Sequence, residues 1–258
     1  MNELVLDTAR AVGFLSRLPV PARYFEDSDG RMDRTCRAFA FAGLIIAFPA
    51  ALLATLLLSL GVDPLLTAAA AITALVILTG ALHEDGLADC ADGLGGGRDK
   101  QQTLDIMKDS RIGAYGTIAL VLSLLLRVAG LAAIAGSLSP TAFALAVLAT
   151  ASISRAAMVW HWGALSPARS DGVAVGAGEP TTASVRFALA TGGAIGVVLV
   201  WLVAGVLAVI VAGAATAAMT WSFTAFVRSR IAGHTGDTIG AAQQLAEIAV
   251  LFGLALCL

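Results

Sequence analysis

Between Phe187 and Val227 the chain runs for 41 residues without one charged side chain. A helix needs about 20 apolar residues to cross a hydrocarbon core, so this run is too long for one span and long enough for two. Gly205 is the expected break, with Gly213 as the alternative. Five further apolar runs lie at about 38–60, 65–82, 115–135, 141–162 and 241 to the C-terminus. The chain is therefore read as an all-α, polytopic integral membrane protein of seven transmembrane helices, one domain over residues 1–258. Composition agrees: only 13% of residues are charged, against about 25% in a soluble domain.

Basic residues supply the orientation. Arg10, Arg17, Arg23, Arg31, Arg34 and Arg37 precede the first run. Arg98, Lys100, Lys108 and Arg111 follow the second, Arg169 and Arg186 follow the fourth, and Arg228 and Arg230 precede the last. With seven spans these four groups share one face, and the turns on the other face carry no Lys or Arg. The positive-inside rule makes the shared face cytoplasmic. Residues 1–37 contain no apolar core of a signal peptide, so a cytoplasmic N-terminal segment is expected. The net charge of −2 argues against a nucleic-acid partner, and Cys36, Cys90 and Cys257 form no CxxC pair, so neither a disulfide framework nor a zinc site is indicated.

Chemistry is expected at residues 83–113, a polar stretch between two apolar runs. Seven carboxylates fall between Glu84 and Asp109. Crowded beside a bilayer they repel one another, and a divalent cation relieves this and bridges to phosphate. Asp85, Asp89 and Asp92 are spaced i, i+4, i+7, one face of a helix, and can hold one or two Mg²⁺ against a diphosphate. Asp109 is the next candidate ligand. Arg111 offers a bidentate phosphate clamp, with Gly113 leaving room for the phosphate. Gly86 and Gly93 permit close backbone approach.

A second polar cluster, Arg230 to Gly240, contains Thr235-Gly236-Asp237 ahead of the last span. It reads as a phosphate-binding turn at a helix N-terminus, with an N-cap role for Asp237 as the plainer alternative. Glu247 and Arg127 fall inside spans, where charge is costly, and a pair between them is conceivable. Arg155 either snorkels to the interface or points at substrate phosphates.

These residues carry a family resemblance. The run His83-x-Asp85-Gly86-Leu87-Ala88-Asp89-x-x-Asp92-Gly93 closely resembles the signature of the cobalamin (5′-phosphate) synthase family, the adenosylcobinamide-GDP ribazoletransferases. Phe14-Leu15-Ser16-Arg17-Leu18-Pro19-Val20-Pro21, the segment from Ile106 to Gly113, Ser154-Arg155, and the run from Gly233 to Ala241 are similar to its other motifs, in order, over nearly the whole chain. Glu84 stands where an apolar residue is expected, Ala232 replaces the first of a glycine pair, and Gln244 stands where Glu is frequent.

The resemblance implies the last assembly step of the cobalamin nucleotide loop, at a bacterial cytoplasmic (inner) membrane. Adenosylcobinamide-GDP reacts with α-ribazole, or its 5′-phosphate, releasing GMP, with Mg²⁺ as cofactor. Asp85, Asp89, Asp92 and Asp109 are the implied metal ligands. Asp85, His83 and Arg111 are the catalytic candidates, with His83 or an aspartate taking the hydroxyl proton. Arg155, Thr235, Gly236, Asp237 and Gly113 are the implied substrate contacts. The lipid bilayer is a partner, and self-association or a complex with other corrinoid-pathway enzymes is the further expectation. A CDP-alcohol phosphotransferase fits less well, because Asp89 stands where its motif needs Arg; a prenyltransferase needs DxxxD-type motifs on separate helices. A transporter fits less well because no internal repeat is visible.

Overall fold

The computed structural model describes residues 2–26 and 28–258. Among the described residues ten α-helices follow in order: α1 (Glu3–Leu15), α2 (Phe39–Ser59), α3 (Pro64–Thr79), α4 (Leu82–Gly96), α5 (Lys100–Lys108), α6 (Ala114–Ser137), α7 (Pro140–Gly163), α8 (Val173–Ala177), α9 (Thr182–Ile231) and α10 (Gly236–Ala255). Among the described residues the only β pairing is an isolated bridge between Pro167 and His234.

Five of these helices, α2, α6, α7, α9 and α10, are long and apolar enough to cross a membrane, and α3 with α4 forms a bent sixth candidate. The 50-residue α9 is interrupted at Gly205, whose φ of 78° and ψ of −173° are open to glycine and strained for other residues. Both ends of α9 return to the same end of α7: Val185 packs beside Gly163, and Arg228 donates to the Ala164 carbonyl. The segment is therefore a hairpin of two crossings, broken at the expected glycine, and the expected seven crossings are recovered. Leu52, Leu56, Leu125, Trp201 and Trp221 are exposed on the outside of the bundle, as lipid-facing side chains should be.

Small residues let the helices close up. Ala47, Ala50, Ala54, Ala68, Ala71, Ala146 and Ala149 are buried in one core with Phe143, Leu251 and Leu254, toward the end where α2 turns into α3 and α6 into α7. A second core, toward the polar end, joins Ala11, Val12 and Leu15 of α1 to Phe39, Met158 and Trp162.

The polar stretch 83–113 is not a loop: most of it is α4 and α5. Gly80 and Ala81 both adopt left-handed conformations, and this turns α4 by 89° from α3. Arg17 lies across Gly80, and its N–H donates to the Leu78 carbonyl at 2.7 Å. The N-terminal Phe14–Pro21 motif thus braces the bend that sets α4 across the polar ends of the other helices.

Candidate active site at the polar end of the bundle

Gly86 of α4 and Gly240 of α10 create the site by letting two backbones meet. A Cβ on Gly86 would lie 3.0 Å from the Asp237 carbonyl oxygen, and one on Gly240 would lie 3.4 Å from the His83 Cα. That crossing brings Asp237, in the first turn of α10, beside Asp85 and Asp89. Asp85 and Asp237 line one cavity. Burial, with the charges of Asp85, Asp237 and Asp92, pushes the Asp89 carboxyl up to about 6. Like charges in partial burial raise a carboxyl in this way.

Among the described residues no three His, Cys, Asp or Glu side chains form a ready-made metal cage. The donor set at this crossing still fits a hard cation. It is all carboxylate, and the repulsion felt at Asp89 is what a divalent ion relieves.

Asp92 and Asp109 are placed differently from the expectation that grouped them with Asp85 and Asp89. Both Asp92 oxygens accept backbone N–H bonds, from Gly113 at 2.7 Å and Gly116 at 2.9 Å, so this carboxylate ties α4 to the start of α6. Gly113, expected to clear space for phosphate, donates its backbone N–H to Asp92. Asp109 ends α5 and binds Arg111 through two nitrogens, at 3.0 and 2.6 Å. Those hydrogen bonds hold its carboxyl down at about 2. Arg111 is 85% exposed on that outer turn.

The turn before α10 has a capping box. Thr235 is the N-cap: its hydroxyl accepts from the Thr238 N–H, and the Thr238 hydroxyl accepts from the Thr235 N–H. Asp237 is therefore free of capping duty, contrary to the plainer reading, and Gly236 opens the helix. Arg169, which the sequence marked only as a basic loop residue, sits 3.9 Å from the Asp237 carboxylate, and its Nη1 is buried without a partner. Spacing alone gave no signal for it, because a 68-residue separation is closed by the isolated bridge between Pro167 and His234.

Deeper in the bundle the charged residues within spans find one another. Arg127 donates to Glu247 at 2.9 Å and to Glu84 at 2.7 Å, so the conceivable Arg127–Glu247 pair is present and Glu84 joins it. Arg155 does not snorkel. It is 2% exposed and donates to the Ala151 carbonyl, near the same network. His83, the candidate acceptor of the hydroxyl proton, is buried, and its Nε2 lacks a partner among the described residues.

Comparison with known proteins settles the family. Residues 7–255 match the family model described as cobalamin-5-phosphate synthase. The chain belongs to that family. Proteins named adenosylcobinamide-GDP ribazoletransferase from Rhizobium johnstonii and Sinorhizobium medicae are each 52% identical, over 100% and 98% of this chain and 99% and 97% of their own length. The one from Brucella anthropi is 39% identical over 100% of the chain and 99% of its length. No solved structure matches.

The departures from the cobalamin-5-phosphate synthase pattern have structural accounts. Gln244 donates to Glu84 at 3.2 Å, while its carbonyl accepts from Arg127 at 3.0 Å. With an amide at position 244, the second carboxylate on Arg127 comes from Glu84 of α4, alongside Glu247 of α10. Ala232 ends α9 in a left-handed conformation, φ 55°, the conformation that glycine adopts without strain at a helix C-terminus.

Proposed function

We propose that this chain is an adenosylcobinamide-GDP ribazoletransferase, joining adenosylcobinamide-GDP to α-ribazole, or its 5′-phosphate, with release of GMP. The names of the full-length relatives supply the substrates. The observation that carries the chemistry is the meeting of Asp85 and Asp89 on α4 with Asp237 on α10, beside the unpartnered Nη1 of Arg169.

Phosphoryl transfer asks a protein chiefly for positioning and charge stabilisation. A ribose hydroxyl forms the new P–O bond at the cobinamide-side phosphorus, the P–O–P bridge breaks, and GMP leaves with its charge. Arg169 donates to a diphosphate oxygen from the side of Asp237. Asp85, Asp89 and Asp237 would hold Mg²⁺, which would supply neutralisation of the diphosphate charge. A carboxylate of the same group, or His83 behind it, accepts the hydroxyl proton. Asp92 and the Asp109–Arg111 pair hold α4, α5 and α6 in register.

By the charge rule, the polar end faces the cytoplasm of a bacterial inner membrane, where both water-soluble substrates are available. Purified protein in detergent, given both substrates and Mg²⁺, is expected to release one GMP per corrinoid product. Omission of either substrate, or chelation of the cation, should stop release, and added Mg²⁺ should restore it. Release that persists through chelation counts against the cation assignment.

A further inference from the structure

The two halves of α9 lean on α7 at different places. Gly192 and Gly196 of the first half pack on Ala156 and Ile153, while Thr224 of the second half bonds His161 at 2.8 Å. Between the halves, with α7 as its floor, runs a groove of about 590 Å³ whose lining includes Ile153, Trp160, Leu189, Gly193, Gly213 and Trp221. Gly193, Gly213 and Trp221 are exposed along it, so the groove opens sideways, toward the bilayer. The hydroxyls of Thr216 and Thr220 on its wall donate to carbonyls of α9 itself. What remains is apolar surface, which water does not wet favourably.

Its length matches one leaflet. From Ile153 in the groove to Ala164, the C-cap of α7, the helix rises about 16 Å. That is half of a hydrocarbon core of about 30 Å, and it is the half nearer the polar end of the bundle. Two arginines stand where a lipid headgroup of that leaflet would lie. Arg186 precedes Gly193 by seven residues and Arg228 follows Trp221 by seven, two helical turns that keep each arginine on the face its half turns to the groove. Both are exposed. Arg228 donates to the Ala164 carbonyl at 3.1 Å, and Val185, beside Arg186, packs on Gly163. Neither arginine forms an ion pair among the described residues.

We propose that this groove binds one anionic phospholipid of the leaflet at the polar end. An acyl chain lies along α7 between the halves of α9, and the phosphate sits between Arg186 and Arg228. Charge selects this occupant. A zwitterionic lipid brings a cation of its own to the two arginines, whereas an anionic lipid brings net negative charge. A second copy of the chain fits less well, because its outward helices α2, α3, α6 and α9 carry no Asp or Glu to meet the arginines.

The test is native mass spectrometry of full-length protein in detergent, titrated with phosphatidylglycerol and with phosphatidylcholine of the same acyl chains. One arginine near a membrane surface favours anionic lipid about 5-fold, so wild type should bind its first phosphatidylglycerol about 30-fold more tightly than phosphatidylcholine. Arg186→Gln should lose about 5-fold of that preference, and with Arg228→Gln added the two lipids should bind alike. Gly193→Phe and Gly213→Phe probe the groove from opposite walls. A Cβ at either glycine meets nothing within 4 Å, so the new ring enters the groove with the backbone undisturbed. Each should abolish tight lipid binding with both arginines still in place and the thermal unfolding temperature near that of wild type. Glycerol 1-phosphate, which has the headgroup phosphate and no chains, should not compete. Equal binding of the two lipids by wild type would overturn the assignment, as would tight binding that survives both phenylalanine variants. Competition by glycerol 1-phosphate, or a dimer that forms in place of the lipid adduct, would overturn it as well.

Discussion

At the scale of single residues, the buried charges show how a membrane protein keeps ions in its interior. Arg127 and Arg155 face Glu84 and Glu247, a neutral set enclosed by α4, α6, α7 and α10. Gln243 bridges Glu247 at 2.6 Å and Ser154 at 3.1 Å. Removing one partner of a buried pair costs about 3–5 kcal/mol, because the other charge is left uncompensated. Glu84→Gln should therefore lower the thermal unfolding temperature in detergent sharply. Adding Gln244→Glu returns a carboxylate to Arg127 from the other helix and should restore most of the loss. A double variant no more stable than the single one would show that charge balance is not what the network maintains. The sequence marked Arg127 and Glu247 because charge inside a span is conspicuous. It hid Glu84, because a glutamate among seven carboxylates looks solvated until the bend at Gly80 drives it inward.

At the scale of elements, the crossing of α4 and α10 determines the site. Its legibility was partial for a physical reason. The i, i+4, i+7 stripe announced a helical face, but helical spacing says nothing about which neighbour covers each position. Asp85 stays exposed, Asp89 is half-buried, and Asp92 passes under the start of α6, where two N–H groups take its oxygens. Asp237 entered the site through a close approach of two glycines separated by more than 150 residues. Gly86→Leu tests this geometry, since its side chain would meet the Asp237 backbone and push the helices apart. A misplacement near 1 Å costs about 100-fold in rate. GMP release by Gly86→Leu should fall by that order while the protein remains folded by size-exclusion chromatography, and wild-type turnover would show that the crossing is not what positions the carboxylates.

At the scale of the whole molecule, apolar run lengths were enough to give the crossings, including the hairpin at Gly205, because a bilayer fixes helix length more tightly than water does. The same arithmetic could not show that α3 bends into α4, since a left-handed alanine at position 81 has no sequence signature. The consequence of that bend is global. It lays the acidic helix against α6 and α10 and within reach of Arg230 of α9, so that Asp85, Asp89 and Asp237 meet at the polar end. The most direct test is the rate of GMP release from adenosylcobinamide-GDP and α-ribazole by four folded proteins: wild type, Asp85→Asn, Asp237→Asn and Asp109→Asn. Loss of a charge-stabilising group at the reacting phosphate should slow Asp85→Asn and Asp237→Asn by about 100- to 1,000-fold, and Asp109→Asn, on the outer turn, should stay within a few-fold of wild type. Near-normal release by Asp85→Asn and Asp237→Asn would contradict the α4–α10 site.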